Sequence, residues 1–250
     1  MKTNNAFLNC TGRLITAWVT KLLPLFSLLI LPYMVQDQSY TYIPVDNFNS
    51  PQVAGDPAYT DFKYGNTFGS SGNWTVTGGS VDLIGTSFWQ TPDGNQNVDM
   101  DGTSVGQIST TITIPNAGNV TVSFWLAGNM FGNTPGSTRT LQVSLGAASQ
   151  TFTLDINGNS HANMGWVAES AVFANQSAGP EILTFTSLDG PLGYPYDDGP
   201  VLGTVTAYVT RVAGPPSILA QPLTQTAEMG TTPGFWVEVT NTLPGGMARS

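Results

Sequence analysis

The sequence predicts an all-β protein, an antiparallel β-sandwich of the jelly-roll kind, and three observations carry that reading. Apolar and polar residues alternate with period two in ten short runs between residues 75 and 212, the period at which successive side chains point to opposite faces of a strand. Gly, Asn, Asp or Pro stands between nearly all of these runs, which marks turns. No segment holds a 3.6-residue period for the length of a helix. Composition agrees: 28 Gly and 17 Pro in 250 residues, with 40% hydrophobic and only 9% charged side chains, supply both turns and a core.

Taken in order, the chain opens with Lys2, Arg13 and Lys21, then an apolar run over residues 22–35 (LLPLFSLLILPYMV). That run is shorter than the ~20 residues of a membrane span and is broken by Pro24 and Pro32. Residues 1–38 are therefore expected to be a signal peptide, cleaved near residues 36–39, with an uncleaved anchor as the alternative, and the protein is expected to be secreted or held at the cell surface. The only cysteine, Cys10, lies inside this segment. The remainder has no thiol for a disulfide, a nucleophile or a cysteine zinc site. Beyond residue 35 four cations face sixteen acids, a balance of −12. Nucleic acid is excluded as a partner, because its affinity rests on neutralising phosphates with Lys and Arg. No stable membrane span is expected once the signal is removed.

Residues 39–213 form the expected sandwich domain. An extended lead-in with two prolines, YTYIPVDNFNSPQVAG from Tyr40, is followed by a Gly-, Asp- and Tyr-rich loop up to Asn73. The ten strand runs come next: TVT from Thr75, SVDLI from Ser80, NVDM from Asn97, QISTTITI from Gln107 and NVTVSFWLA from Asn119. The series continues with RTLQVSLG from Arg139, QTFTLDI from Gln150, GWVAESAVF from Gly165, EILTFTSL from Glu181 and VLGTVTAYVTRV from Val201. Residues 213–216 (AGPP) read as a hinge. Residues 214–250 are a linker and a segment that resembles the first strands of an Ig-like domain. Two strands without a sheet to join cannot bury a core, so this tail is expected to be poorly anchored or to belong to a longer protein.

Few motifs survive a chemical test. Gly102, Ser104 and Gly106 fit the G-x-S-x-G nucleophile elbow, but that motif needs a following helix, and residues 107–114 alternate as a strand. Asn97 to Gly102 imitates the start of an EF-hand loop, with Ile108 where a bidentate Glu is required. Asp82, Asp93, Asp99, Asp101, Asp197 and Asp198 supply carboxylates for glycoside hydrolysis, which requires a pair about 5–9.5 Å apart; the sequence places no two across a cleft. His161 has no second histidine or cysteine to work with and is expected to be a loop residue. Aromatics are more informative, since flat apolar faces stack on sugar rings while Asp and Asn orient hydroxyls. Trp74, Trp89, Trp125 and Trp166 are the candidates, with core packing the competing role of each. Trp125, inside VSFWLA, is expected in the core, while Trp89, just before a turn, fits either role. The resulting candidate carbohydrate-binding set is Trp89, Asp93, Asp99, Asp101, Tyr194 and Tyr196, with no catalytic residue.

The runs WTVTGGSVDLIG, WQTPDGNQNVDMDG, GQISTTITI, VTVSFWLAGN, NMGWVAESAVF, LTFTSLDG and GPVLGTV resemble, in order, the choice-of-anchor C domain family, which is related to the domain of unknown function 642 proteins of plant cell walls. The resemblance covers residues 45–212. It implies a galactose-binding-like jelly roll, exported, that binds carbohydrate or cell-wall polymer without catalysis. It also implies a structural calcium held by an acid near each end of the domain. Here Asn49 stands where the first acid would fall and Gly203 where the second would, leaving at best Asp46 and Asn49 as ligands. The expectation is thus an exported, non-catalytic binding module for an extracellular or cell-wall polysaccharide, with no cofactor. A structural or adhesive surface module is the alternative, and a glycoside hydrolase or esterase a more distant one.

Overall fold

The computed structural model describes residues 40–55, 58–70, 73–130, 138–189, 198–211, 217–220, 229–230 and 238–240. The expected signal segment therefore lies outside the described residues. Among the described residues thirteen strands make two antiparallel sheets that pack face to face as a jelly-roll sandwich. The early strands are β1 (Tyr40–Asp46), β2 (Tyr59–Lys63), β3 (Thr67–Phe68), β4 (Trp74–Gly78), β5 (Ser80–Ile84) and β6 (Asn97–Asp99). The long ones follow: β7 (Gln107–Ile114), β8 (Gly118–Gly128), β9 (Thr138–Leu145), β10 (Ala148–Asp155), β11 (Val167–Gln176), β12 (Gly179–Ser187) and β13 (Pro200–Thr210). One sheet runs β11-β8-β13-β6-β5-β2, with β1 also on β13; the other runs β10-β9-β12-β7-β4-β3. In the tail, β14 (Ser217–Ala220) pairs with β15 (Glu238–Thr240). Among the described residues no helix is long and apolar enough to cross a membrane.

All ten runs with period two are strands. Three further strands were expected only as extended chain or loop. In β1 the ladder to β13 shifts register between Ile43 and Asp46, at Pro44, which has no N–H to give. The strand pairs on either side of that break, so a proline-containing lead-in still joins the sheet. β2 acquires its conformation from pairing with β5, Tyr59 opposite Ile84 through Lys63 opposite Ser80.

The core lies between the sheets. Val81, Leu83, Val98, Phe124, Leu126, Leu202 and Val205 from one sheet meet Trp74, Val76, Ile108, Leu141, Val143, Leu183 and Phe185 from the other. Trp74 is 0% exposed, its ring 5.8 Å from both Phe48 and Phe185. Each such side chain contributes roughly 1.5–3 kcal/mol by leaving water. Trp125 departs from expectation. Phe124 and Leu126 take the inward positions of β8, so strict alternation turns Trp125 to the outer face, where it is half-buried over Gly203.

The two outer faces differ. On the six-stranded sheet one lateral row crosses every strand as Thr67, Thr75, Ser109, Thr184, Ser144 and Ser149. Their hydroxyls and their neighbours' bond to one another, Ser109 to Thr184 at 2.9 Å and Thr77 to Ser109 at 3.1 Å. On the seven-stranded sheet the corresponding lateral row is Asp61, Asp82, Asp99 and Val201.

Candidate functional site

The aspartate row arises from two similar strands laid antiparallel. SVDLI and NVDM each send their central apolar residues inward, Leu83 opposite Val98, so that Asp82 and Asp99 face each other on the outer side. Two loops cover this face, residues 85–96 between β5 and β6 and residues 156–166 between β10 and β11. Gln90 ties them together: its N–H donates to the His161 carbonyl at 2.8 Å, its side-chain oxygen accepts from Met164 N at 3.1 Å, and its carbonyl accepts from Trp166 Nε1 at 2.8 Å. Ile84, Trp89, Ala127, Met164 and Val201 form a small second core beneath. Trp89 is 5% exposed and donates its Nε1–H to Asn97 Oδ1 at 2.8 Å.

Between the loops and the sheet opens a cleft of about 200 Å³. Its walls are Tyr59, Phe88, Trp89 and His161, and its floor is Asp82, Asp99, Ile84 and Asn129. The wall rings are mutually inclined: Tyr59 to Phe88 is 5.8 Å at 77°, Phe88 to Trp89 5.1 Å at 73°, and Trp89 to His161 5.6 Å at 72°. Tyr59 is 41% exposed at the mouth, whereas Asp99 is 1% exposed on the floor.

Asp99 Oδ2 accepts from Asn129 Nδ2 at 2.6 Å, and Oδ1 from Asp101 N at 3.1 Å and Gly199 N at 3.3 Å. Burial, and then the neighbouring charge of Asp101, pushes its carboxyl well above the usual carboxylate range. Behind it lies a wider acidic cluster. Burial raises Asp101 to about 6 and Asp189 to about 7, although Gly106 N bonds the former and Thr140 N the latter. Arg139, 2% exposed, is the cation set among them. It gives Nε and Nη2 to the Asn129 carbonyl at 3.1 and 2.8 Å and stands 3.6 Å from Asp198.

Of the residues expected from sequence, the structure brings Trp89 and Asp99 to this cleft. Asp101 is buried behind it. Asp93 is exposed in the covering loop, where it caps its own turn by accepting from Asn95 N at 3.1 Å. Tyr194 and Tyr196 lie outside the described residues. Tyr59, Phe88, Asn129 and His161 were not expected at a site. The antiparallel match of two V-D strands was the available signal for Asp82 facing Asp99, whereas the loop residues carried none.

Asp46 and Asn49 have other work. Asp46 Oδ1 accepts from Phe48 N at 2.8 Å and Oδ2 from Ser70 N at 2.7 Å, holding Phe48 in a left-handed conformation at φ 59°. Asn49 bonds Asn95 Oδ1 at 2.6 Å and Gln96 N at 2.9 Å. At Gly203 a β-carbon would come within 2.9 Å of Trp125 and 3.4 Å of Trp166, leaving no room for an acid. Among the described residues no three acidic, histidine or cysteine side chains converge as a cation cage. The calcium implied by the resemblance does not fit these residues. Ser104 of the G-x-S-x-G run contacts Ser80 Oγ at 3.3 Å and leads into β7, a strand, and His161 belongs to the cleft wall.

The family profile described as Protein of unknown function (DUF642) matches residues 42–193, and the chain belongs to that family. No curated protein matches it. Among solved structures it is similar to a family 35 carbohydrate binding module from Clostridium thermocellum, with 13% identity and a TM-score of 0.36 over 68% of this chain and 97% of that one. The CBM35 from Paenibacillus barcinonensis is 16% identical, with a TM-score of 0.37 over 59% and 97%. The CBM35 from Cellvibrio japonicus Abf62 is 10% identical, with a TM-score of 0.38 over 62% and 99%.

Proposed function

We propose that this protein is an exported, non-catalytic carbohydrate-binding module of the choice-of-anchor C kind that takes one sugar ring of an extracellular or cell-wall polysaccharide in the cleft of the seven-stranded sheet. The observation that carries the reading is the cleft itself, with inclined aromatic walls over a floor of two carboxyls and an amide. Aromatic faces bury the apolar side of a pyranose, while Asp82, Asp99 and Asn129 offer acceptors and a donor to its hydroxyls. At about 200 Å³ the cleft is smaller than the roughly 300–1,000 Å³ of pockets that take drug-sized ligands, which suits one ring rather than a run of chain. A chain end or side branch is the fitting epitope.

A hydrolase is less well supported. Hydrolysis needs carboxyls flanking the glycosidic bond, and Asp82 and Asp99 are lateral neighbours on one sheet face, both beneath the same side of a bound ring. Titration calorimetry with short oligosaccharides tests the reading. We expect saturable binding that weakens about tenfold or more, ~1.4 kcal/mol or more, in Phe88→Ala at the mouth of the cleft. No heat with any neutral, amino or uronic sugar would leave the adhesive, sugar-independent surface module as the better reading.

A further inference from the structure

Resting on the reading that the cleft binds sugar, we infer that it selects a ring bearing a free amine, a hexosamine, over neutral sugars and against uronic acids. The floor of the cleft is acidic. Asp82 and Asp99 oppose each other across β5 and β6, and Asp61 continues the row on β2 with Lys63 at 3.7 Å on its outer side. Among the described residues no Lys or Arg lines the cleft. Arg139, the cation behind it, is occupied with the Asn129 and Thr138 carbonyls and Asp198. A uronate would bring its carboxylate against two acidic groups without a counter-charge, whereas an ammonium would give the Asp99 carboxyl, which otherwise keeps its proton, a partner that favours its charged form.

The walls favour the same ligand. Tyr59, Phe88 and Trp89 stand at 73–77° to their neighbours rather than stacked flat on one another. Tyr59, Phe88, Trp89 and His161 line the same small volume as the acids, and aromatic rings attract an ammonium group. The floor also carries an amide, Asn129, whose Nδ2 lies 2.6 Å from Asp99 Oδ2, so that an acid and an amide stand side by side in the cleft.

The test is titration calorimetry of the whole chain with three probes of equal length: a glucosamine trimer, its N-acetylated twin and a galacturonate trimer. The glucosamine trimer is expected to bind at least about tenfold tighter than the twin and the galacturonate not detectably. Raising NaCl to half-molar (about 0.5 M) is expected to weaken the glucosamine trimer alone. Asp82→Asn and Asp99→Asn are expected to bring the ratio of the first two probes towards one, with thermal melts confirming that each variant folds. If neither folds, the salt response of the unaltered protein and the half-exposed Asp61→Asn, expected to lower the ratio about twofold, decide the matter. Equal or tighter binding of the acetylated or uronic probe overturns the amine inference while leaving the sugar reading standing. Binding of none of the three overturns the amine inference, and the sugar reading falls with it if neutral hexose oligosaccharides give no heat either.

Discussion

The two outer faces of this sandwich are built from the same alternation and yet do opposite things. On the six-stranded sheet the outward residues are Thr, Ser and Gln that bond sideways to each other, as from Thr77 to Ser109 to Thr184. Water reaches the face, so the hydroxyls outside those links are solvated and none needs a ligand. On the β5–β6 part of the seven-stranded sheet the outward residues include Asp82, Asn97 and Asp99, and two loops close over them. Covering a polar face removes its water, so each carboxyl must find a partner or keep its proton. The lesson is that a sheet face becomes a site when loops take solvent away from acidic groups laid side by side.

The sharpest way to break that contrast is at Arg139. Arg139→Met removes three donors and the counter-charge of a buried acidic cluster, and should cost about 3–5 kcal/mol in urea denaturation. A loss under about 1 kcal/mol would mean that the cluster behaves like an exposed surface. Next is pH. The carboxyls of Asp99, Asp101 and Asp189 hold their protons in the fold at pH values where the unfolded chain has released them. The folded state thus binds more protons between about pH 4 and pH 7, and stability must fall as pH rises through that window. The Tm should be several degrees higher near pH 5 than near pH 7.5, with a smaller difference in Asp189→Asn. A flat profile, or a rise in Tm with pH, would show the cluster to be solvated.

Trp89→Phe keeps a ring in the cleft wall but strips Asn97 of its remaining hydrogen bond. A destabilisation of about 1–3 kcal/mol is expected, with weaker sugar binding measured on the same sample. The smallest effect belongs to the other face. Ser109→Ala removes one link of the hydroxyl row and should cost no more than about 0.5–1 kcal/mol, with sugar affinity unchanged. A change in affinity there would move the site to the six-stranded sheet.

Period-two alternation located ten strands, because a half-buried sheet writes its two faces directly into the chain. It did not locate β2, whose partner β5 lies about twenty residues on, nor β3, two residues long and too short to show a period, nor β1, where Pro44 hides the pairing. Alternation also held the answer for Trp125, between two inward neighbours, although its place inside VSFWLA had argued for the core. The site was legible in part. Asp99 and Trp89 stood out as an acid and a ring beside turns, but the cleft depends on register, which sets Asp82 opposite Asp99, and on loop closure, which carries His161 and Phe88 to one place. Asp93 drew notice by the same chemistry as Asp99, yet a loop position left it capping its own turn.

The pairing of β1 with β13 has a mechanical consequence. Tyr40 lies opposite Thr210 with the strands antiparallel, so the chain arrives at and departs from the sandwich at one corner. Tension between those two points loads the ladder from its end, and its rungs open one after another instead of resisting together in shear. Such a link yields at low force, while β2, β5 and β6, which carry the cleft, lie outside the line of pull.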